Sequence, residues 1–246
     1  MDGADPDRWS AVAAGWAELW GGFAEPAWQV IAEVSGAGPG TRVLDVGCGA
    51  GELLGFFAGR GAQVAGIDPA PGMVALARAR VPGADLRLGE AERLPWPDGR
   101  FELVTSFNAL QFADDTLDAL AECARVAVPG GLVAVANWAE AARNDLDTIE
   151  AAVAEADGEE PPPDGELRLP GGLEELLAEG GLAVVASGIV VLPWRATDDD
   201  SLVRGILLGD DSLARAGPVL SAARPFRTPD GGYRLVNAFR YAVGRV

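Results

Sequence analysis

The 246-residue chain predicts a doubly wound α/β fold on a mostly parallel sheet of seven strands. Three observations carry this. Short apolar runs recur along the chain, and most are followed by a segment of helical spacing, the rhythm of right-handed β–α–β crossovers. Between the first run and its helix stand Gly47, Gly49 and Gly51, a turn in which the backbone can bend sharply and approach a ligand. Hydrophobic residues make up 49% of the chain, enough for a large buried core.

The elements follow in order. Residues 8–34 read as helix, with Trp9, Val12, Trp16, Leu19, Trp20 and Phe23 at roughly helical spacing. Three tryptophans on one helix serve either ordinary packing or a binding wall. Val43–Val46 is the first strand, followed by the glycine turn and a helix over Glu52–Gly59. Val64–Ile67, Asp85–Leu88, Phe101–Phe107 and Leu132–Asn137 are the next four strands. Pro71–Arg80 and Thr116–Val126 are the helices among them, the latter stopped by Pro129, Gly130 and Gly131. Beyond these, 140–157 reads as helix and Gly158–Gly165 as an exposed loop with three prolines. Pro170–Glu179 is helical, Ala183–Leu192 an apolar strand, Asp198–Gly217 helical, and Leu235–Val243 the final strand. The expectation is one domain over 1–246, with a core at about 40–139 and a closing strand at about 235–243. Helical cap elements are expected at about 8–34, 140–157 and 198–232.

Composition removes several function classes. The net charge of −18 repels phosphate backbones and anionic lipid, so no nucleic acid and no membrane is expected as partner. There is no histidine, and all 19 basic residues are arginine. The commonest general base, Schiff-base chemistry and a P-loop lysine are therefore missing. Cys48 and Cys123 do not make a metal-type pair, and no metal site is expected. The runs Asp198–Asp200 and Asp210–Asp211 read as solvated faces. The acidic start of the chain is unlike a secretory signal and no apolar run spans a bilayer, which makes the cytoplasm the expected compartment.

The most informative segment is Val43-Leu-Asp-Val-Gly-Cys-Gly-Ala-Gly51, a strand running through glycines into a helix whose N-terminus offers free N–H groups. The dinucleotide fingerprint G-x-G-x-x-G fails here, because its third glycine falls on Glu52. The second strand ends in Asp68, 17 residues after Gly51. A carboxylate there accepts ribose hydroxyls, or starts the next helix, or does both.

Asp45-Val-Gly-Cys-Gly-Ala-Gly51 resembles motif I of class I S-adenosylmethionine-dependent methyltransferases. The stretch Gly89-Glu-Ala-Glu-Arg-Leu-Pro-Trp-Pro-Asp98 with Phe101-Glu-Leu-Val104 resembles the adenine-reading stretch of the same family. Arg125-Val-Ala-Val-Pro-Gly-Gly131 resembles its turn before the fifth strand, and Arg234–Gly244 its closing strand. The likeness spans about 40–137 and is nearest to small-molecule enzymes of the quinone-biosynthesis type. It implies a Rossmann-like sheet with an antiparallel last strand and a helical lid, and S-adenosylmethionine as cofactor. Gly47, Gly49 and Gly51 would lie against its methionine part, Cys48 would pack within that turn, and Asp45 would meet its amino group. Asp68 would hold the ribose, Glu90 and the Ala91 N–H the adenine edge, with Glu90 standing where the family usually has Asp. Met73 would pack on the adenine or serve as plain core.

Ligands on open α/β sheets bind beyond the carboxyl ends of the strands, where this chain has Ser106, Phe107, Asn108, Gln111, Asn137 and Trp138. By the resemblance, Phe107 borders the cofactor, while Asn108, Gln111 and Trp138 face a small-molecule acceptor. Asn108 and Gln111 would equally serve to cap their loop. Asp114 and Asp115 read as a helix cap. A roof over the acceptor is expected from 8–34 and 198–232, bringing in Trp16, Trp20 and Arg195. The expected activity is methyl transfer to a metabolite or natural product. No catalytic base is assigned; only a carboxylate, a tyrosine or water is available. The rival expectations are a cyclase-like enzyme that binds the cofactor without spending it, and a regulatory binding module.

Overall fold

The computed structural model describes residues 5–209 and 213–246. Helices α1 (Pro6–Leu19) and α2 (Glu25–Ser35) precede β1 (Arg42–Val46). Then come α3 (Glu52–Ala58), β2 (Gln63–Asp68), α4 (Pro71–Arg80), β3 (Asp85–Leu88), β4 (Phe101–Phe107), α5 (Thr116–Val126) and β5 (Ala127–Trp138). The chain continues through α6 (Asp145–Ala156), α7 (Gly172–Glu179), β6 (Ala183–Ala196), α8 (Asp199–Ile206), α9 (Leu213–Ala222) and β7 (Tyr233–Arg245).

The strands form one seven-stranded sheet in the order β3-β2-β1-β4-β5-β7-β6. β7 runs antiparallel to both its neighbours, and the β1 to β5 pairings are parallel. From β1 the chain winds outward through β2 to β3, then returns to lay β4 on the other side of β1. Neighbouring crossovers diverge there, and a crevice opens at the carboxyl ends of β1 and β4. Side chains alternate across the sheet. Leu44 and Val104 join Leu120 and Leu177 on one face, and Val43 and Leu103 join Ile31, Leu54 and Phe57 on the other.

Several boundaries differ from the sequence reading: β5 begins five residues early, at Ala127, α6 begins only at Asp145, and β7 is longer at both ends, Tyr233–Arg245. Three further differences bear on the surroundings of the crevice. Residues 8–34 are two helices: the chain turns at Trp20–Ala24, where Gly21 and Gly22 supply no helix-favouring side chain. The helical run read over Asp198–Gly217 ends at Ile206 and resumes at Leu213, with Gly209 at φ 82° after the first piece. Asp210 and Asp211 lie outside the described residues. β6 extends past Pro193 to Ala196, which an edge strand tolerates because one side of its backbone needs no ladder partner. Among the described residues no helix is long and apolar enough to cross a membrane.

Candidate active site

The crevice holds a cavity of about 330 Å³, floored by the ends of β1, β2 and β4 and walled by α1 and the turn after it. Its floor is the glycine turn. Gly47, Gly49 and Gly51 have φ of 75°, 50° and 83°, a backbone that side chains with Cβ rarely adopt. At Gly47 there is also no room, since a Cβ would overlap the Ala109 methyl. Gly51 has a different task. It starts α3, and a Cβ there would come within 3.0 Å of Ala77 on α4, so it lets the two helices meet. Gly47 and Gly49 line the cavity together with Cys48, and Gly51 stands behind them.

Two carboxylates flank the turn. Asp45, on β1, is 3% exposed and accepts a hydrogen bond from the Thr105 hydroxyl at 2.7 Å. Burial pushes its pKa well above the ordinary range; Thr105 opposes this, while Asp68 and Glu52 add to it. Asp68, at the end of β2, accepts from the Gly49 N–H at 2.8 Å and the Ala70 N–H at 2.9 Å. It thus ties the glycine turn to the start of α4, without being the cap residue of that helix, which is Ala70. Burial raises its pKa and the two N–H groups pull against that.

The remaining charges in the cavity are also acids. Glu52 is raised by burial and steadied by Arg80, whose guanidinium lies 2.8 Å away. Glu90 is raised by partial burial, then by Glu92, Asp114 and Asp68. Among the described residues lining the cavity there are six acids and no arginine. Such a site suits a ligand carrying positive charge and hydroxyls, and disfavours a pyrophosphate. The residues present fit S-adenosylmethionine on this ground. An overlap-free glycine floor lies between two buried carboxylates, one beside the turn for an ammonium and one at the strand end for a diol.

The cofactor residues expected from sequence converge. Asp45, Gly47, Cys48, Gly49, Asp68, Met73, Glu90, Ala91 and Phe107 all line the one cavity. The Cys48 thiol is buried and its pKa is driven well up by that burial, which suits packing rather than nucleophilic attack.

The acceptor candidates divide. Trp16, Trp20 and Asn108 line the cavity. Asn108 is the only non-glycine residue with positive φ, 51°, among those described, and its Oδ1 accepts from Gln111 Nε2 at 2.8 Å. Gln111 therefore stands behind Asn108 as a brace. Trp138 lies outside the cavity lining, stacked on Phe23 at 5.3 Å and edge-on to Phe239 at 4.9 Å. Arg195 is on the wrong side of its strand: Trp194 and Ala196 are buried, so alternation turns Arg195 to solvent.

The roof is also narrower than expected. Residues from 6–28 wall the cavity, and none of the described residues from 198–232 lines it. The second segment instead buttresses the first. Trp20 Nε1 donates to the Gly205 carbonyl at 3.0 Å, Trp194 Nε1 donates to the Leu19 carbonyl at 2.6 Å, and Arg204 pairs with Glu18 at 2.9 Å. Of the expected cap pair Asp114 and Asp115, Asp115 caps α5 through the Leu117 and Asp118 N–H groups, whereas Asp114 lines the cavity. Sequence reasoning also passed over Glu52, Glu92, Trp28, Phe112 and Phe239 as lining residues. Glu52 carried a visible signal, the acid at the helix start directly after the glycines; the others carried none.

Comparison with known proteins agrees with this geometry. Residues 44–135 match the model of a methyltransferase domain. A malonyl-[acyl-carrier protein] O-methyltransferase from Serratia marcescens is 36% identical over 108 residues, 44% of this chain and 42% of that protein. A demethylmenaquinone methyltransferase from Renibacterium salmoninarum is 36% identical over 110 residues, 45% of this chain and 46% of that one. The aligned part is thus less than half the length of these relatives. The solved structure of YcgJ from Bacillus subtilis superimposes with a TM-score of 0.62 at 16% identity, over 89% of this chain and 97% of that one. Fold, glycine turn and aligned sequence coincide on one stretch: residues 44–135, the core of this chain, are similar to a methyltransferase domain.

Proposed function

We propose that the chain transfers the methyl group of S-adenosylmethionine to a small organic molecule. The observation that carries this is the pair Asp45 and Asp68, two buried carboxylates on either side of a left-handed glycine turn, in a cavity lined by no cation among the described residues. Both curated relatives are methyltransferases by name, which supports the reading. In this proposal 1–246 works as one unit, with α1 and α2 closing the cavity over the core.

When bound, the cofactor supplies a methyl carbon on sulfonium: the acceptor's lone pair bonds to that carbon, the carbon–sulfur bond breaks with its electrons kept by sulfur, and S-adenosylhomocysteine and a proton are released. The chain's own part is placement and exclusion of water. Asp45 holds the amino group. Asp68 holds the ribose hydroxyls, in an orientation set by its bonds to Gly49 and Ala70. Glu90 and the Ala91 N–H meet the adenine edge. Trp16 and Trp20 shield the reacting atoms, and Asn108, braced by Gln111, aligns the acceptor. The released proton passes to a cavity carboxylate or to water, since the chain has neither histidine nor lysine. The acidic cavity and the −18 charge support a small acceptor over nucleic acid.

Calorimetry with S-adenosylhomocysteine and with a nicotinamide dinucleotide tests the reading. Binding of the first and not the second is expected. Mass spectrometry of a metabolite mixture incubated with methyl-labelled cofactor then identifies the acceptor, and release of no labelled product from any mixture would refute transfer.

A further inference from the structure

The sheet has two edges, and they are built differently. β3 closes one edge with four residues, and its Asp85 and Arg87 pair at 3.0 Å. Short length and charge keep such an edge from adding another strand. β6 forms the other edge with fourteen residues and has β7 on one side only. Charged residues are 23% of the chain, yet none falls in 183–194. Val184, Val185, Ile189 and Val191 are all exposed there, and no other element among the described residues shows more than one large apolar side chain to solvent.

A register break at Val184/Ala186 and Pro193, which has no N–H, bracket the regular part of the strand, Ala186–Leu192. Within it the side chains alternate. Ser187, Ile189 and Val191 stand in solvent, Val191 at 57% exposure, and the residues between them are half-buried or buried. The midpoint is Ile189. A two-fold axis normal to the sheet at that residue lays a second β6 antiparallel on the first. It sets Ile189 against Ile189 and Ser187 against Val191, with both exposed rows on the same face. The outward N–H and C=O groups of each strand then find partners, and Ile189 and Val191 of both copies leave water together.

We infer that this edge is where a second copy of the chain docks, joining the two seven-stranded sheets into one. A foreign partner chosen by charge finds none to read on this strand, whereas two chains of −18 approach at least cost where no charge stands. The regular run is about 24 Å long at ~3.4 Å per residue. α2 packs behind it on one face. Sheet and helix together are about 20 Å deep, so each copy buries ~500 Å², less than the ~800 Å² of a standard interface. The dimer is therefore reversible, with a dissociation constant on the order of 10–100 µM. Paired strands run in opposite directions, so the two cavities open at opposite ends, and the inference does not depend on what they bind.

Sedimentation velocity on the full chain, from well below to well above that constant, should show a 25.4 kDa monomer giving way to dimer. Raising salt should favour the dimer, because screening relieves the repulsion between two acidic chains while the uncharged edge loses nothing. Val191→Arg places a charge in the seam twice per dimer and should raise the dissociation constant at least roughly tenfold. Val191 is exposed and outside the cavity, so the variant's unfolding in urea and its affinity for S-adenosylhomocysteine should match the wild type. Ile189→Cys should cross-link the copies on mild oxidation, since opposed residues of an antiparallel pair lie about 5.5 Å apart, within disulfide reach. Ser187→Cys, out of register with its own copy, should not. The native Cys48 and Cys123 are buried and do not interfere. Monomer at every concentration would overturn the inference. So would a dimer that Val191→Arg leaves intact, a dimer that salt dissolves, or cross-linking no faster at Ile189→Cys than at Ser187→Cys.

Discussion

The floor and the wall of the cavity are built by different physics. The floor is backbone: three glycines with positive φ, and a carboxylate tied to N–H groups on either side of it. Every one of its contacts joins residues of neighbouring strands and the turns that follow them. The wall is built of packed aromatic side chains, and its ties, two of them to backbone carbonyls, span most of the chain. Trp20 bonds to Gly205, Leu19 to Trp194 and Glu18 to Arg204, each pair separated by at least 175 positions. Trp20 also stacks on Trp194 at 4.5 Å with the rings 11° from parallel. A turn made of backbone is rigid by conformation and gains little from distant neighbours. A wall made of packed aromatics is only as firm as the helix behind it. Damage to the wall should therefore appear mainly as lost stability, and damage to the floor mainly as lost binding.

The largest effect is expected at the wall. Trp20 is 4% exposed, and Trp20→Ala removes its stack on Trp194, its contact with Phe23 and its bond to Gly205. Buried Trp→Ala changes cost about 3–5 kcal/mol. Urea unfolding should show a loss of that size, with the affinity for S-adenosylhomocysteine falling much less than stability does. A variant that unfolds like the wild type would mean that α8 does not brace the wall.

Gly47→Ala attacks the floor. It places a Cβ at φ 75° and against the Ala109 methyl, so the turn must open or Ala109 must retreat. Left-handed backbone costs a non-glycine residue about 1–2 kcal/mol and overpacking about 1–3 kcal/mol more. Calorimetry should show binding of S-adenosylhomocysteine nearly abolished, while unfolding shows only the smaller stability cost. Intact binding would remove the turn from the cofactor site.

This contrast also decides what was legible beforehand. Gly47, Gly49, Asp45 and Asp68 announce themselves locally, because positive φ demands glycine and a strand end demands a polar terminus, so the sequence shows both the site and its place on the sheet. The sheet's strands are legible through period and apolar runs, whereas the antiparallel direction of β7 comes only from the family resemblance. The wall is not. Periodicity shows that Trp16 and Trp20 share a helix, and is silent on which residue 185 positions away receives the Trp20 N–H. Arg195 was misplaced because strand alternation cannot be phased until one buried neighbour, here Trp194, is known. Trp138 shares a strand end with Asn137, yet packing among Phe23, Trp20 and Phe239 takes it out of the cavity lining.

Asp68 joins the two regimes, since it braces the floor and faces the ligand. Asp68→Ala removes acceptors for the Gly49 and Ala70 N–H groups as well as for the proposed ribose, so it should lower both stability and affinity. Hydrogen bonds to a charged group contribute about 1.5–3 kcal/mol, which sets the loss of affinity at roughly ten- to a hundredfold. Asp68→Asn keeps one acceptor oxygen and should recover part of the stability but little of the affinity. Calorimetry and urea unfolding on the two variants resolve the two roles, and equal recovery of both would make the residue a brace only.

The smallest effect is a dependence on pH. Asp45 is buried and its folded pKa is raised, so the folded chain holds that proton more tightly than the unfolded chain does. The sign follows directly. Between the ordinary carboxylate pKa and the raised one, the folded state binds more protons, and stability falls as pH rises through that window. A cationic ligand reverses the balance by favouring the ionised form, so binding expels the proton and affinity rises over the same window. Asp45→Asn preserves the oxygen that accepts from Thr105 and removes the titration. The variant should be at least as stable as the wild type at neutral pH, with its stability and its affinity for S-adenosylhomocysteine both flatter across mildly acidic pH. Thermal unfolding and calorimetry at several pH values measure the two slopes. Asp68, Glu52 and Glu90 are raised as well and leave a residual slope in Asp45→Asn; an affinity for the wild type that falls with rising pH, or a slope as steep in Asp45→Asn as in the wild type, would move the amino group away from Asp45 and leave the floor to Asp68 and the glycines alone.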